Sequence, residues 1–278
     1  MKTTDEENKK VNKKNKIMVV VSAIIVLSLV TLQTGYYVSI IHSRQYSIGP
    51  FQSQRKGNVR EVAEDIKVSE RCIDIKDRKP AQVYKYFNFI ALRSESSRFR
   101  DIVRKWNVPV RFFAEGDPGE LIRGVLNDLF VKMNAIEGFP GIYEVGSKEE
   151  ANLIGYFYED EKFNEFISNY GANESYFGIS YVDLDEADSS ICSGVFAVRT
   201  TMSDARKCSV TAEELVQAMG LSNDTRRYSD SLFYQGYKEV LEPNELDWII
   251  FRILYHPLIQ SGMNYSQCIP ILSMIIAK

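Results

Sequence analysis

Apolar residues recur along this chain at two spacings. Leu121, Ile122, Val125, Leu126, Leu129, Phe130, Met133 and Ile136 fall three to four apart, which puts them on one face of a helix over 120–136. Residues 162–170 repeat that stripe with Phe163, Phe166, Ile167 and Tyr170, and residues 242–255 repeat it with Leu246, Ile249, Ile250 and Ile253. Residues 84–92 and 212–219 also read as helical. Other stretches alternate, or are rich in β-branched and aromatic residues: 108–114, 142–145, 151–158, 175–182 and 192–200. These are the expected strands. A loop is expected from the helix at 212–219 through Tyr237. Strands interleaved with helices, followed by helices alone, predict an α+β fold. No internal repeat or low-complexity tract interrupts the pattern.

A different pattern precedes this one. No charged residue occurs from Ile17 to Ile41; residues 17–32 are strongly apolar, and Tyr36 and Tyr37 follow. A helix needs about 20 apolar residues to cross the hydrocarbon core of a bilayer, and Tyr favours the interface. The run lacks a small-x-small cleavage site and the Cys that a lipoprotein requires, so an uncleaved anchor is the reading over a signal peptide. Six Lys precede the run, and Arg44 is the lone Lys or Arg in the dozen residues after it. That bias places the N-terminus in the cytoplasm and the bulk of the chain outside it. The expected plan is a cytoplasmic tail over 1–16, a transmembrane anchor over 17–37, a juxtamembrane linker over 38–79 with one short helix at 59–67, and an extracytoplasmic globular domain over 80–278. The expected location is the inner (plasma) membrane, as a single-pass protein.

Charge and residue counts narrow the chemistry. Residues 1–16 carry a net +3, which leaves −6 for the remainder of a chain whose total is −3. An acidic ectodomain is a poor nucleic-acid binder, which needs clustered Lys and Arg. There are two His, His42 and His256, and His42 lies at the edge of the apolar run. Zinc enzymes usually recruit two or three imidazoles, so a His-based zinc site is nearly excluded by counting. The four Cys are Cys72, Cys192, Cys208 and Cys268, with no C-x-x-C pair. Beyond a membrane segment an even count reads as two disulfides.

Several short segments carry a resemblance. They are Lys105, Trp106, Pro109, Val110 and Arg111; the stretch from Cys192 to Cys208; residues 213–224 (EELVQAMGLSND); and Leu254, Tyr255, Pro257, Gly262 and Met263. Together they resemble the bacterial domain-of-unknown-function family 2927, whose members are envelope proteins or lipoproteins. The likeness spans roughly residues 80–265. Residues 213–224 in turn resemble the zincin active-site helix, His-Glu-x-x-His-x-x-Gly-x-x-His, with its ligands replaced. The three ligand positions fall on Glu213, Gln217 and Asn223. The general base falls on Glu214 and the turn glycine on Gly220. Positions i and i+4 share a helix face, so the geometry can survive the loss of the imidazoles. Glu, Gln and Asn offer only oxygen, which suits zinc badly and holds Ca²⁺ or Mg²⁺ weakly without further carboxylates. The resemblance thus implies a zincin-like mixed sheet with packed helices and no bound metal or other cofactor.

Two disulfides, Cys192–Cys208 and Cys72–Cys268, are expected among three possible connectivities. The second would tie the start of the domain to its end, worth on the order of 4 kcal/mol in the loop-entropy account.

The same segment has a structural reading. Thr211 with Glu214 three residues on forms a capping box, Val210 and Leu215 occupy the staple positions, and Gly220 stops the helix at C′. On that reading Glu214 turns back onto its own backbone. The acidic run Asp183, Asp185, Glu186 and Asp188 reads as a solvated loop before a Ca²⁺ site, and His256 as a structural residue. Asn173, Asn223 and Asn264 lie in N-x-S/T sequons, which matter only in a eukaryote. The expectation is a membrane-anchored, non-catalytic envelope protein that binds or scaffolds a protein or cell-wall partner. The alternative is a hydrolase, metal-independent or with an atypical metal, that uses Glu214, with Asp224, for acid–base chemistry. The two readings divide on whether Glu214 faces a cleft.

Overall fold

A computed structural model of the chain describes residues 72–93, 101–172 and 174–276. The expected tail, anchor and helix at 59–67, and most of the linker, lie outside the described residues, as does Asn173. No helix among the described residues is long and apolar enough to cross a membrane.

The fold is α+β: six α-helices and a mixed five-stranded sheet among the described residues. In chain order these are α1 (Pro80–Phe87), which runs into a wider π-turn at Asn88–Leu92, β1 (Val110–Gly116), α2 (Gly119–Asn134), β2 (Ile142–Glu144), β3 (Leu153–Tyr158), α3 (Asp160–Ser168), β4 (Gly178–Leu184), β5 (Ile191–Arg199), α4 (Asp204–Ala218), α5 (Glu245–Tyr255) and α6 (Tyr265–Ile275). The strand order is β2-β1-β3-β5-β4. The first four strands in that order run parallel, and β4 pairs antiparallel with β5 at one edge.

Side chains alternate across a strand, and the sheet uses both faces. Leu153 and Phe157 of β3, with Phe196 and Val198 of β5, join the large core built with α2, α4 and α5. Tyr156, Tyr158, Ile179 and Ala197 point the other way and pack with Phe163 and Ile167 of α3 in a second, smaller core. Parallel strands covered on both faces carry near-continuous apolar runs, which is why β3 reads LIGYFY.

The largest departure from the sequence reading is α4. It begins at Asp204, not near residue 212, with Ser203 as N-cap accepting a hydrogen bond from the Arg206 N–H. Thr211 is therefore mid-helix, and its hydroxyl donates to the Lys207 carbonyl at 2.8 Å. The expected capping box and staple do not exist. Cys, Ser, Val and Thr in the first two turns weakened the helical signal there, and burial of Cys208, Val210 and Ala212 overrides it.

The cysteines are also corrected, for no disulfide is formed among the described residues. Cys192 sits at the start of β5 and its thiol donates to the Asp183 carbonyl. Cys208 lies one turn into α4, near the far end of that strand, so about 20 Å of extended chain separates the levels of the two. Cys268 is buried inside α6 and burial pushes its thiol up to about 11. The two ends of the domain do meet, through backbone: Ile73 N–H donates to the Ile275 carbonyl at 2.6 Å, and Ile73 bridges Ile276.

Candidate functional site

Helix α4 lies against β4 and β5, and its residues at helical spacing meet the residues of β4 that share one face. Val210, Glu213, Glu214 and Gln217 line a cavity together with Gly178, Ser180 and Val182. The loop from Ser222 to Lys238 closes the far side, contributing Asp224, Tyr234 and Lys238. The cavity measures about 440 Å³. Glu214 reaches into it because residue 178 has no side chain. A Cβ there would come within 2.6 Å of the Glu214 Oε1 atom.

The polar groups on the α4 side of this cleft are tied to one another. Glu213 Oε1 accepts a hydrogen bond from the Lys238 ammonium at 2.5 Å, and that ammonium also donates to the Leu232 carbonyl. The Lys238 side chain is 3% exposed, so this is a buried ion pair in which each charge needs the other. The Gln217 amide spans two partners: its Nε2 donates to Asp224 Oδ1 at 2.9 Å, and its Oε1 accepts from the Ser180 hydroxyl at 3.1 Å.

Glu214 differs from the rest. It is 7% exposed, and its Oε2 atom is buried with no hydrogen-bond partner among the described residues. Burial holds its carboxyl well above the usual carboxylate range, and the negative charges of Glu213 and Asp224 push the same way. The Ser180 hydroxyl and the Lys238 ammonium oppose them and are outweighed. Glu214 thus faces the cleft, not its own helix terminus, in surroundings that favour its protonated form.

The sequence placed five residues at this site. Glu213, Glu214, Gln217 and Asp224 line the cavity; Asn223 does not, and its amide donates to the Phe89 carbonyl at 2.9 Å, on the other side of the chain. The three positions equivalent to zincin ligands therefore do not converge. One is paired to a lysine, one bridges a serine and an aspartate, and one is turned away. Among the described residues no group of three or more His, Cys, Asp or Glu is placed to hold a metal ion. The donor set does not fit zinc: two of the three are neutral oxygen or nitrogen groups engaged elsewhere, and a cation already occupies the carboxylate.

Sequence reasoning missed Lys238, Ser180 and Gly178. Lys238 lies 25 residues after Glu213 in an irregular loop, and Ser180 lies 37 before Gln217. Only the alternation of β4, which puts Gly178, Ser180 and Val182 on one face, carried a signal.

The remaining motif residues set the end of α4. Trp106 Nε1 donates to the Ala218 carbonyl at 2.9 Å and Tyr255 Oη to the Met219 carbonyl at 2.8 Å, satisfying carbonyls the helix leaves open. Gly220 follows with φ +107°, and its Cα lies so near the Arg104 carbonyl that a Cβ would fall 2.0 Å from that oxygen. The buried Lys105 ammonium donates to the Ile259 carbonyl at 2.5 Å, and burial lowers it to about 8. His256, expected to be structural, accepts the Leu258 N–H on Nδ1. The acidic run forms the β4–β5 turn, where Asp185 accepts from the Ala187 N–H and Asp188 from the Ser190 N–H.

The family model described as protein of unknown function (DUF2927) matches residues 80–274. No curated protein matches the chain. The match runs from the first residue of α1 almost to the end of α6, and so takes in both the cleft and the residues that fix the end of α4. The chain belongs to the DUF2927 family.

Proposed function

We propose that this chain is a membrane-anchored, extracytoplasmic binding protein of the cell envelope. Its domain is zincin-like, with the metal centre replaced by an internally satisfied polar network. One observation carries the reading: the Lys238 ammonium lies against Glu213, so the charge that a metal would supply at this helix face comes from the protein itself. Without a metal nothing lowers the pKa of an attacking water toward 7. The cleft beside α4 is then a binding surface for a protein or cell-wall partner. The anchor over 17–37 and the Lys bias before it support an inner-membrane location with the globular domain outside the cytoplasm.

Elemental analysis of the full-length chain in detergent, after equilibration with zinc, is expected to find no stoichiometric metal and no zinc-dependent peptidase activity. One tightly held zinc per chain, lost together with hydrolysis in Glu213→Ala or Gln217→Ala, would overturn the reading. For topology, reporter fusions after Lys56 are expected to be active only outside the cytoplasm.

A second reading has one observation in its favour. Glu214 is a buried carboxyl at a cleft with Asp224 nearby, and its burial raises its pKa, the direction that suits a carboxyl to serve as a general acid. A hydrolytic activity abolished by Glu214→Gln in metal-free protein would favour it over the binding reading.

A further inference from the structure

The cleft has an aromatic mouth. Tyr176 and Phe177 line it just ahead of β4 and are 46% and 45% exposed. Tyr237 stands immediately beside it, between Gly236 and Lys238, which do line it, and is 75% exposed. Exposed rings on a loop are ordinarily free to move, and those of Phe177 and Tyr237 are held. The Arg206 guanidinium, in the first turn of α4, lies 5.1 Å from the centre of the Phe177 ring and 5.3 Å from that of Tyr237. Arg206 is itself fixed by a hydrogen bond to the Lys238 carbonyl at 2.9 Å. The Tyr237 hydroxyl donates to Glu239 Oε1 at 2.6 Å. Arg199 holds the approach to β4 by donating to the Glu174 and Tyr176 carbonyls. A ring fixed before binding loses little entropy on binding.

Behind the mouth the groups are polar and their charges nearly balance. Arg104, Arg206 and Lys238 face Glu213 and Asp224, and the Glu214 Oε2 atom is buried with no partner among the described residues. The Gln217 amide and Ser180 hydroxyl can each donate and accept, as can a protonated carboxyl. We propose that this cleft binds an oligosaccharide chain, with a pyranose ring against Tyr237 and Tyr176 at the mouth and the hydroxyls of the next unit reaching Gln217, Asp224 and Glu214. This deepens the binding reading above and rests on it.

The chemistry of a sugar fits on three counts. One face of a pyranose is a sheet of C–H bonds, which matches the negative face of an aromatic ring. Its hydroxyls both donate and accept, as the floor of the cleft does. It needs no net charge, whereas a polyanion would require clustered cations without the facing carboxylates. The cavity volume, about 440 Å³, is in the range of small-ligand sites.

The test is saturation-transfer NMR on the full-length chain in detergent micelles, with an N-acetylglucosamine tetramer and maltotetraose as the probes and tetraalanine as the control. Saturation of ring C–H protons of at least one sugar is expected, and none of the peptide. Tyr237→Ala and Tyr176→Ala should each weaken binding about tenfold. Both sites are surface positions, so the variants should fold, and Tyr237→Phe should retain affinity because the ring does the stacking. Binding of neither sugar, or sugar binding indifferent to both alanine variants, overturns the proposal. Those results leave the metal and hydrolysis measurements unchanged, so the oligosaccharide inference can fail while the binding reading stands.

Discussion

At the scale of single residues the site is decided by Glu214, whose carboxyl is buried, one oxygen unmatched, between two acidic neighbours. Its folded pKa is raised above the ordinary value of 4.5. Between those two values the folded state keeps a proton that the unfolded state has released. Stability therefore falls as pH rises through the window, by up to about 1.4 kcal/mol per pH unit for one proton. Glu214→Gln removes that slope, so the variant should melt higher than the parent at pH 8 while the two converge near pH 4. Asp247, also raised by burial, is present in both proteins and drops out of the difference. A parent and variant that melt alike from pH 4 to 8 would mean that Glu214 is hydrated and charged. The sequence identified Glu213 and Gln217 through i, i+4 spacing, since residues that far apart share a helix face, and Glu214 through the general-base position of the zincin resemblance. It did not identify Lys238, because pairing across a loop of irregular backbone leaves no periodic trace. Nor did it reveal that Asn223, one turn past the helix, would bond the Phe89 carbonyl instead.

At the scale of elements, apolar, β-branched and aromatic runs located the strands, of which β3 and β5 are covered on both faces. Hydrophobic periodicity located most helices to within a few residues, for each buries one apolar face. It failed where that face is small or polar. The start of α4 is one case. Helix α6 went unread for a different reason: its buried face is apolar, but Pro270 sits inside it, although Asn264 and Gln267 form a capping box at its start. Asn264 accepts the Gln267 N–H at 3.1 Å and Gln267 returns to the Asn264 N–H at 2.9 Å. Asn264→Ala should cost about 1 kcal/mol in chemical denaturation, the usual loss for such a cap. Thr211→Ala should cost far less than a cap, as its hydroxyl bonds back to a carbonyl that the helix already uses. Gly220→Ala should cost more than either, roughly 3 kcal/mol or above. It combines a positive φ with a clash against the Arg104 carbonyl, and backbone cannot step aside as a flexible side chain can. A Gly220→Ala protein as stable as the parent would show that the end of α4 is free to unwind.

At the scale of the molecule, one buried carboxylate ties distant segments together. Asp247 of α5 accepts from the Tyr86 hydroxyl of α1 at 2.8 Å, the Ser231 hydroxyl at 2.9 Å and the Leu232 N–H at 2.9 Å. It also accepts the Asn244 N–H at the start of its own helix. Asp247→Ala leaves the Leu232 N–H and one of the Tyr86 and Ser231 hydroxyls, which lie 2.8 Å apart, without an acceptor, and should destabilise by about 3–5 kcal/mol. A loss under about 1 kcal/mol would show that water replaces the carboxylate. The α+β class was legible in the order of elements. The order of strands was not, because it depends on which faces meet once the chain has folded.

The bridge between Ile73 and Ile276 also bears on how the domain would respond to force. The described chain begins and ends at that one place, beside α6. Tension arriving through the N-terminal segment would meet a single backbone bridge first and could peel it away one bond at a time. The Asp247 knot and the five-stranded sheet lie behind it, and the cleft farther along the same path. Pulling at residue 72 should therefore release the first turn of chain at low force, with the cleft keeping its shape until the sheet itself gives way.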